Sequence, residues 1–397
     1  MNKSTFVAFT TLFAITLFSC SQSEKESSST ITDPIQALEF EVIDSIVVDL
    51  LEPVTILDYL PSKDLYLMKN TKEGIVFLVD GKGEILEKRE LGGEGPNQIQ
   101  QFFEGRFYGE SGYVFKELSM EMAYHIFDLE FNKIKKTSGT VKEMMSLTIN
   151  SNKQSFAVYE EDGKYKIVGE EPNSFSIADI NLETIGADFY TKVNTAFVLD
   201  IAQDSVHYIN VYPEDWTFKK ELKWVGPSHP MISFDPNTKT LASLPQMGKQ
   251  LGIYKLEGNK AVYQSVVQLS HPDRDEYEAK LGIDQITFPG FSDIKTFGDY
   301  QILTFFTAMP EDIFNGFKAK SEEYFRDPEF REAMTTYRKA RYIIIKGDQQ
   351  IGILNELPVE GTVNLGLPDG TLIGKVADGE VERDYNLFYK IRLKATQ

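Results

Sequence analysis

Residues 65–91 read LYLMKNTKEGIVFLVDGKGEILEKREL: three short β-rich runs at 65–68, 75–80 and 84–91, divided by turn residues. Val, Ile, Phe and Tyr suit a pleated, half-buried strand. Gly81-Lys82-Gly83 directly after Asp80 supplies a tight reversal in which the Asp side chain can accept backbone N–H groups. The same arrangement returns along the chain. Residues 113–115 precede 124–128, and 156–159 precede 165–168. Residues 196–199 precede 206–209, and 241–244 precede 251–254. Residues 302–306 precede 342–345, and 371–373 precede 387–391. That makes seven copies, whose later strands start near residues 75, 123, 164, 206, 251, 342 and 386. A period of roughly 40–50 residues with about four strands per unit belongs to a β-propeller blade. The expected fold is therefore all-β, a propeller of seven blades, with six or eight as the neighbouring possibilities. Stacked sandwiches need no regular period, and a solenoid needs shorter coils.

The last copy stops short of an outermost strand. The run Phe40-Glu41-Val42-Ile43-Asp44-Ser45-Ile46-Val47-Val48-Asp49 is a spare strand of the right length, and adding it to the last blade would close the ring and remove an exposed edge. Residues 310–341 interrupt one late blade between its second and third strands. Phe314, Phe317, Ser321, Tyr324 and Phe325 recur at helical spacing. Asp327-Pro328-Glu329 reads as an N-cap followed by Pro at the first helical position, with Phe330, Met334 and Tyr337 as a second apolar stripe. The expectation is a single propeller domain over 37–397, carrying two short helices that act as cover or lid.

Composition narrows function. The 397 residues carry 60 acidic against 41 basic side chains, a net charge of −19. A chain this acidic repels phosphate backbones, so nucleic acid is excluded as a partner class. Hydrophobic residues at 42% and charged residues at 25% are ordinary globular usage, not disorder. One cysteine permits no internal disulfide and no multi-cysteine metal site. That cysteine, Cys20, ends a segment in which Lys3 precedes an uncharged run of 13 residues from Phe6 to Phe18. A membrane helix needs about 20 residues, whereas a signal-peptide core needs fewer. Leu17-Phe18-Ser19-Cys20 resembles a bacterial lipobox. The resemblance implies a signal peptide over 1–19, cleavage before Cys20, and diacylglycerol on its thiol. Residues 20–36, polar and Ser-rich with Glu24 and Glu26 close behind the cysteine, read as a flexible tether. No other stretch is long and apolar enough to span a bilayer, so membrane attachment would rest on the lipid alone.

The lipobox, the acidic tether, the blade repeat and the segment Leu91-Gly92-Gly93-Glu94-Gly95-Pro96-Asn97 occur together. This combination resembles Bacteroidota propeller lipoproteins with a TolB-like or six-bladed signature. Among these it is most similar to a lipoprotein family known only as a domain of unknown function. The resemblance implies a cell-envelope propeller at the outer membrane, on either its periplasmic or its surface side. It carries over no catalytic or ligand residue.

Chemistry is sparse. There is no HExxH, Walker or EF-hand motif, and Gly109-Glu110-Ser111-Gly112 is not a G-x-S-x-G elbow. No catalytic residue, cofactor or metal is expected. In a propeller, the loops from a fourth strand to the next blade and from second to third strand open on one face. That face would gather Gly93, Glu94, Gly95, Pro96 and Asn97, the helical insertion, and the loop at 378–382. It would also gather two matching tripeptides, Ser228-His229-Pro230 and Ser270-His271-Pro272. His229 and His271 are thus candidate binding-face residues, and a His pair can serve proton transfer or metal binding. The alternative is that Ser-His-Pro is a turn formula repeated with the blade. His125 and His207 fall within strands. Carboxylate clusters such as Glu160-Glu161-Asp162 and Glu380/Glu382 are expected by chance among 60 acids. The leading expectation is a non-catalytic ligand-binding or protein-interaction module whose partner is an envelope protein or glycan. The alternative is a glycan hydrolase or lyase working at the mouth of the channel.

Overall fold

A computed structural model describes residues 36–70, 72–145, 147, 152–376 and 383–394. The segment expected to be a signal peptide, Cys20, the expected tether up to residue 35 and the loop at 378–382 lie outside the described residues. The described residues form six four-stranded antiparallel sheets. Strand β1 is Phe40–Val48. Blade 1 holds β2 (Val54–Leu60), β3 (Leu65–Asn70), β4 (Ile75–Asp80) and β5 (Ile85–Glu90). Blade 2 holds β6 (Phe102–Phe107), β7 (Gly112–Glu117), β8 (Tyr124–Asp128) and β9 (Lys133–Lys136). Blade 3 holds β10 (Phe156–Glu161), β11 (Lys164–Glu170), β12 (Ala196–Asp200) and β13 (Ser205–Ile209). Blade 4 holds β14 (Pro230–Asp235), β15 (Thr240–Pro245), β16 (Gln250–Glu257) and β17 (Lys260–Gln268). Blade 5 holds β18 (Phe291–Phe297), β19 (Tyr300–Phe306), β20 (Ala340–Lys346) and β21 (Gln349–Leu354). Blade 6 holds β22 (Gly361–Gly366), β23 (Thr371–Val376) and β24 (Asn386–Leu393), and takes β1 as its fourth strand. The first strands touch in cyclic order, β2 to β6, β10, β14, β18, β22 and back to β2, which closes the ring.

The seven repeats reduce to six blades, and the miscount has one source. Five of the seven strand pairs are second and third strands of a blade. The pairs at 156–168 and 196–209 are instead the two halves of blade 3, joined in one sheet by Lys166↔Asp200 through Glu170↔Ala196. The connection between β11 and β12 runs from 171 to 195, and contains a helical turn at Phe189–Lys192. It is long enough to mimic a passage between blades.

Closure by the N-terminal strand is as expected. β1 pairs antiparallel with β24 from Phe40↔Leu393 to Val48↔Asn386. Ile46 and Val48 are fully buried in the cluster that joins blade 6 to blade 1, among Val54, Tyr66, Phe77 and Phe388. The Asn386 side chain fixes the chain's passage inward from β1. Its amide donates to Leu50 O (2.8 Å) and Glu52 O (3.0 Å), and its oxygen accepts from Val54 N at 3.0 Å. The glycine-rich segment is a tight inter-blade connection. Leu91 N and Gly92 N both donate to Gly74 O, and a Cβ on Gly74 (φ 66°) would meet Gly92 Cα at 2.8 Å.

Two helices, Glu311–Lys320 and Pro328–Tyr337, lie between β19 and β20, in the fifth blade of six. Asp327 caps the second, accepting from Glu329 N at 2.9 Å, with Pro328 in its first turn. Met309, Phe314 and Phe330 form its small buried core with Phe317, Tyr324 and Met334 packed around it, while Phe325 stays 54% exposed.

The closing strand provides an internal control. Ile46 is buried and Ile43 on the same strand is 43% exposed. Ile46→Ala should lower the unfolding free energy by about 2–4 kcal/mol, against about 0.5 kcal/mol or less for Ile43→Ala, read from urea melts of both variants. Equal effects would place β1 outside the core.

Candidate functional site

The first strands of all six blades enclose a cavity of about 690 Å³ on the ring axis. Its outer rim is formed where first strands turn into second strands: Pro61, Gly109, Pro236, Asn237, Thr238, Asp299 and Pro368. First-to-second loops lie at the end of the ring opposite the fourth-to-first and second-to-third loops. The cavity therefore opens on the face opposite the one that gathers Gly93–Asn97, the helical insertion, His229 and His271.

At the other end the channel is crossed by the segment leading into β10. Asn152 O accepts from Lys295 Nζ at 2.6 Å, and Asn152 Oδ1 accepts from Asn364 Nδ2 at 2.9 Å. Lys295 belongs to blade 5 and Asn364 to blade 6, which stands opposite blade 3 in a ring of six. Ser155 reaches the other way, to blade 2. Its N–H donates to Glu104 Oε2 at 2.7 Å, its hydroxyl donates to Glu104 Oε1, and its oxygen accepts from Lys116 Nζ at 3.2 Å. Lys153 pairs with Glu170, whose second oxygen accepts from Ile232 N of blade 4 at 3.0 Å. Asn152, Lys153 and Ser155 thus strap five of the six blades together across this end of the channel.

Charge in the strap is matched locally. Glu104, Glu170, Lys116 and Lys295 are all buried. Burial works against the Lys153 cation, but the Glu170 carboxylate more than offsets it and holds the Lys153 pKa above its ordinary value. Lys295 pairs with Asp293 at 2.5 Å. Among the described residues Arg106 is the one basic residue in the cavity wall. Its Nε donates to Phe156 O (3.0 Å) and its Nη1 to Leu57 O (2.8 Å) and Gly105 O (2.7 Å). Its Nη2 pairs with Glu104 at 3.1 Å, and its plane lies over the Phe156 ring. Such pairs are expensive to break singly, because the partner is left as an uncompensated buried charge.

The groups that face the cavity are Asp58, Gln154, Ser233 and Thr296, between apolar walls that include Phe107, Phe234 and Ile294. The Ser233 and Thr296 hydroxyls, from adjacent blades, lie 2.6 Å apart. Asp58 Oδ2 accepts from Phe107 N at 2.8 Å. Desolvation raises the Asp58 pKa against the opposing pull of Arg106 and the Phe107 and Tyr59 N–H groups. Among the described residues no group of three or more His, Cys, Asp or Glu is placed to hold a metal.

Each candidate named from the sequence has a place. Gly95 N donates to Gln98 Oε1, and Asn97 bonds across to Asn132 and Lys133 N, fixing blade 1 to blade 2. Glu94 and Pro96 are exposed beside them, and Gly93 has φ 145°. His271 caps a short helix, its Nδ1 accepting from Asp273 N at 3.1 Å, with its ring edge-on to Phe305. His229 packs edge-to-face on Phe189, beside a cluster that holds Tyr190, Tyr212 and Trp216. No hydrogen bond or ring contact links the two histidines. Of the chance carboxylates, Glu161 bridges Lys166 and Lys239. His125, buried in β8, stands 3.4 Å from Glu117.

The strap and the cavity wall were not singled out from sequence. SNKQS at 151–155 looks like any polar loop. A usable signal was FFEGRF at 102–107 and FSDIKTF at 291–297, where acid and base alternate within first strands that a ring must enclose.

No family model matches the chain, and no curated protein is significantly similar to it in sequence. Solved structures do share the fold. A member of the DUF4221 family from Bacteroides vulgatus superposes with a TM-score of 0.64 at 10% identity, covering 91% of this chain and 100% of its own. A protein of Bacteroides fragilis described as exported superposes with a TM-score of 0.51 at 9% identity, covering 91% and 95%. At these identities the likeness is one of fold.

His229, on the face away from the cavity, gives the fold a pH signature. Burial, helped by the Lys153 charge, lowers its pKa from 6.5 to about 4. The unfolded chain therefore takes up this proton first as pH falls. Stability present above pH 6.5 is lost progressively toward pH 4. His229→Phe should flatten the fall in denaturation midpoint over that interval, and an unchanged slope would mean that His229 does not titrate as placed.

Proposed function

We propose that this chain is a lipid-anchored β-propeller of the cell envelope that binds a ligand in its channel without transforming it. The observation that carries the reading is the cavity of about 690 Å³, walled by every blade and crossed at one end by the Asn152–Ser155 strap. Ligand pockets of about 300–1,000 Å³ with apolar walls and a few convergent polar groups are the usual form of small-molecule sites. The strongest charges near it, Glu104, Arg106, Lys153 and Glu170, hold one another and the strap. That supports a preorganised binding site over a site of proton transfer.

The envelope address rests on residues 1–20, with Cys20 as the lipidated residue. No described helix is long and apolar enough to cross a membrane, which is compatible with attachment by lipid. The fold shared with a Bacteroides protein described as exported adds support. The ligand would be an envelope component, free or displayed by a partner protein or glycan.

Two measurements test the reading. In detergent phase partition of cells making the full chain, the wild type should enter the detergent phase and Cys20→Ser the aqueous phase. Identical partition would remove the anchor. Ser233→Trp fills the cavity from a half-buried wall position. Native mass spectrometry after incubation with an envelope extract should show a small molecule retained by the wild type and lost, at least tenfold, from Ser233→Trp. Retention by both would move binding off the channel.

A further inference from the structure

We propose that the cavity selects a small organic cation, an ammonium or guanidinium group carried on an apolar body. The inference rests on the reading of the cavity as a ligand site and goes on to name the chemistry it accepts.

The charge on the wall is one-sided. Its single cation, Arg106, is directed to the carbonyls of Phe156, Leu57 and Gly105 and to Glu104, so its charge is already matched. The carboxylate of Asp58 has no comparable partner. It accepts backbone N–H groups, and Arg106 acts on it through space rather than as an ion pair. At the rim, Asp235 accepts from Asn237 N (2.9 Å) and Thr238 Oγ1 (2.7 Å), contacts that orient its charge without neutralising it. Asp299 is exposed. An anion entering this space would meet three carboxylates and no free base. A low-dielectric cleft lined by one sign of charge focuses its potential and concentrates the opposite ion. The net charge of −19 acts in the same direction.

Shape completes the argument. Asp58 belongs to blade 1, and the Ser233–Thr296 hydroxyl pair to blades 4 and 5 across the channel. Between them the wall is aliphatic and aromatic, with Phe107, Phe156 and Phe234 among its residues. A cation whose N–H groups reach Asp58 would lay its apolar part along these rings. Aromatic faces attract cations as well as apolar surface, and desolvation strengthens both contacts.

The test uses the full chain and three probes of one shape and different charge: benzylammonium, benzyl alcohol and benzoate, titrated at pH 7 by saturation-transfer NMR. Benzylammonium should bind at least about tenfold more tightly than benzoate, with benzyl alcohol between them. In Asp58→Asn, whose amide oxygen can still accept from Phe107 N, the ratio should fall to within about threefold while benzyl alcohol is little changed. Should that variant not fold, the wild type carries the same test. Lowering the pH from 7 to 4 should weaken benzylammonium and leave benzyl alcohol unaffected, because burial raises the Asp58 pKa and proton uptake there removes the charge that the amine meets.

Benzoate binding as tightly as benzylammonium, or a ratio untouched by Asp58→Asn, overturns the cation assignment. If all three probes bind alike and Ser233→Trp removes them, the cavity remains a ligand site and only its charge preference is wrong. If no probe binds, or Ser233→Trp leaves all binding unchanged, the cavity reading fails and the cation falls with it.

Discussion

Everything in this fold depends on the pairing of β1 with β24. A ring of sheets has no interior until its last blade meets its first, and here residues more than three hundred positions apart make that join. Loop closure over such a distance is entropically unfavourable, though the penalty grows only slowly with length. What repays it is local. Backbone hydrogen bonds run the length of β1, and Ile46 and Val48 enter the cluster between blades 6 and 1. Each such aliphatic side chain is worth about 1.5–3 kcal/mol relative to exposure. Asn386 then carries the chain inward, so that the strand that closes the ring also positions β2, the first wall of the channel. Asp58 stands on that strand.

A second constraint works across the axis. Propeller blades pack side by side, and nothing in that packing ties a blade to the one opposite. The Asn152–Ser155 strap does so, linking blade 3 to blades 2, 4, 5 and 6 through Glu104, Glu170, Lys295 and Asn364. Its polar groups lie where the channel would otherwise hold water. Buried donors and acceptors that find partners favour a single arrangement, while Asn364 Oδ1, for which the described residues supply no partner, carries a cost. The strap thereby crosses the end of the channel away from the first-to-second loops. The cavity opens at the other end, on the face away from the longer loops.

The architecture was legible because blade strands are short, apolar and punctuated by turns. Asp80 with Gly81 and Gly83, or Asp327 before Pro328, are local instructions that survive without tertiary context. The blade count was not legible from the same signals. In blade 3 the connection from 171 to 195 is as long as a passage between blades, and its Phe189 and Tyr190 pack into an aromatic cluster with Tyr212 and Trp216 from the passage that follows β13. Strand spacing cannot separate a long loop within a sheet from a boundary between sheets. Only the pairing of β11 with β12 does.

The site was harder still, for a physical reason. A propeller cavity is assembled from one or two residues of each first strand, so its members are scattered over the chain with no spacing in common. Ser233 and Thr296 meet at 2.6 Å across 63 residues, and Asp58 faces them from another blade. Repetition drew notice instead to Ser-His-Pro at 228–230 and 270–272, and repetition in a repeat fold first reports a shared structural duty. His271 caps a helix, while His229 is shut against Phe189. What distinguishes a site in such a fold is the departure from repetition. Glu104 and Arg106 in β6, matched by Asp293 and Lys295 in β18, are charged where an inner strand is enclosed, and the other four first strands carry no such acid–base pair. They mark the place where this propeller is built around its axis rather than only along its ring.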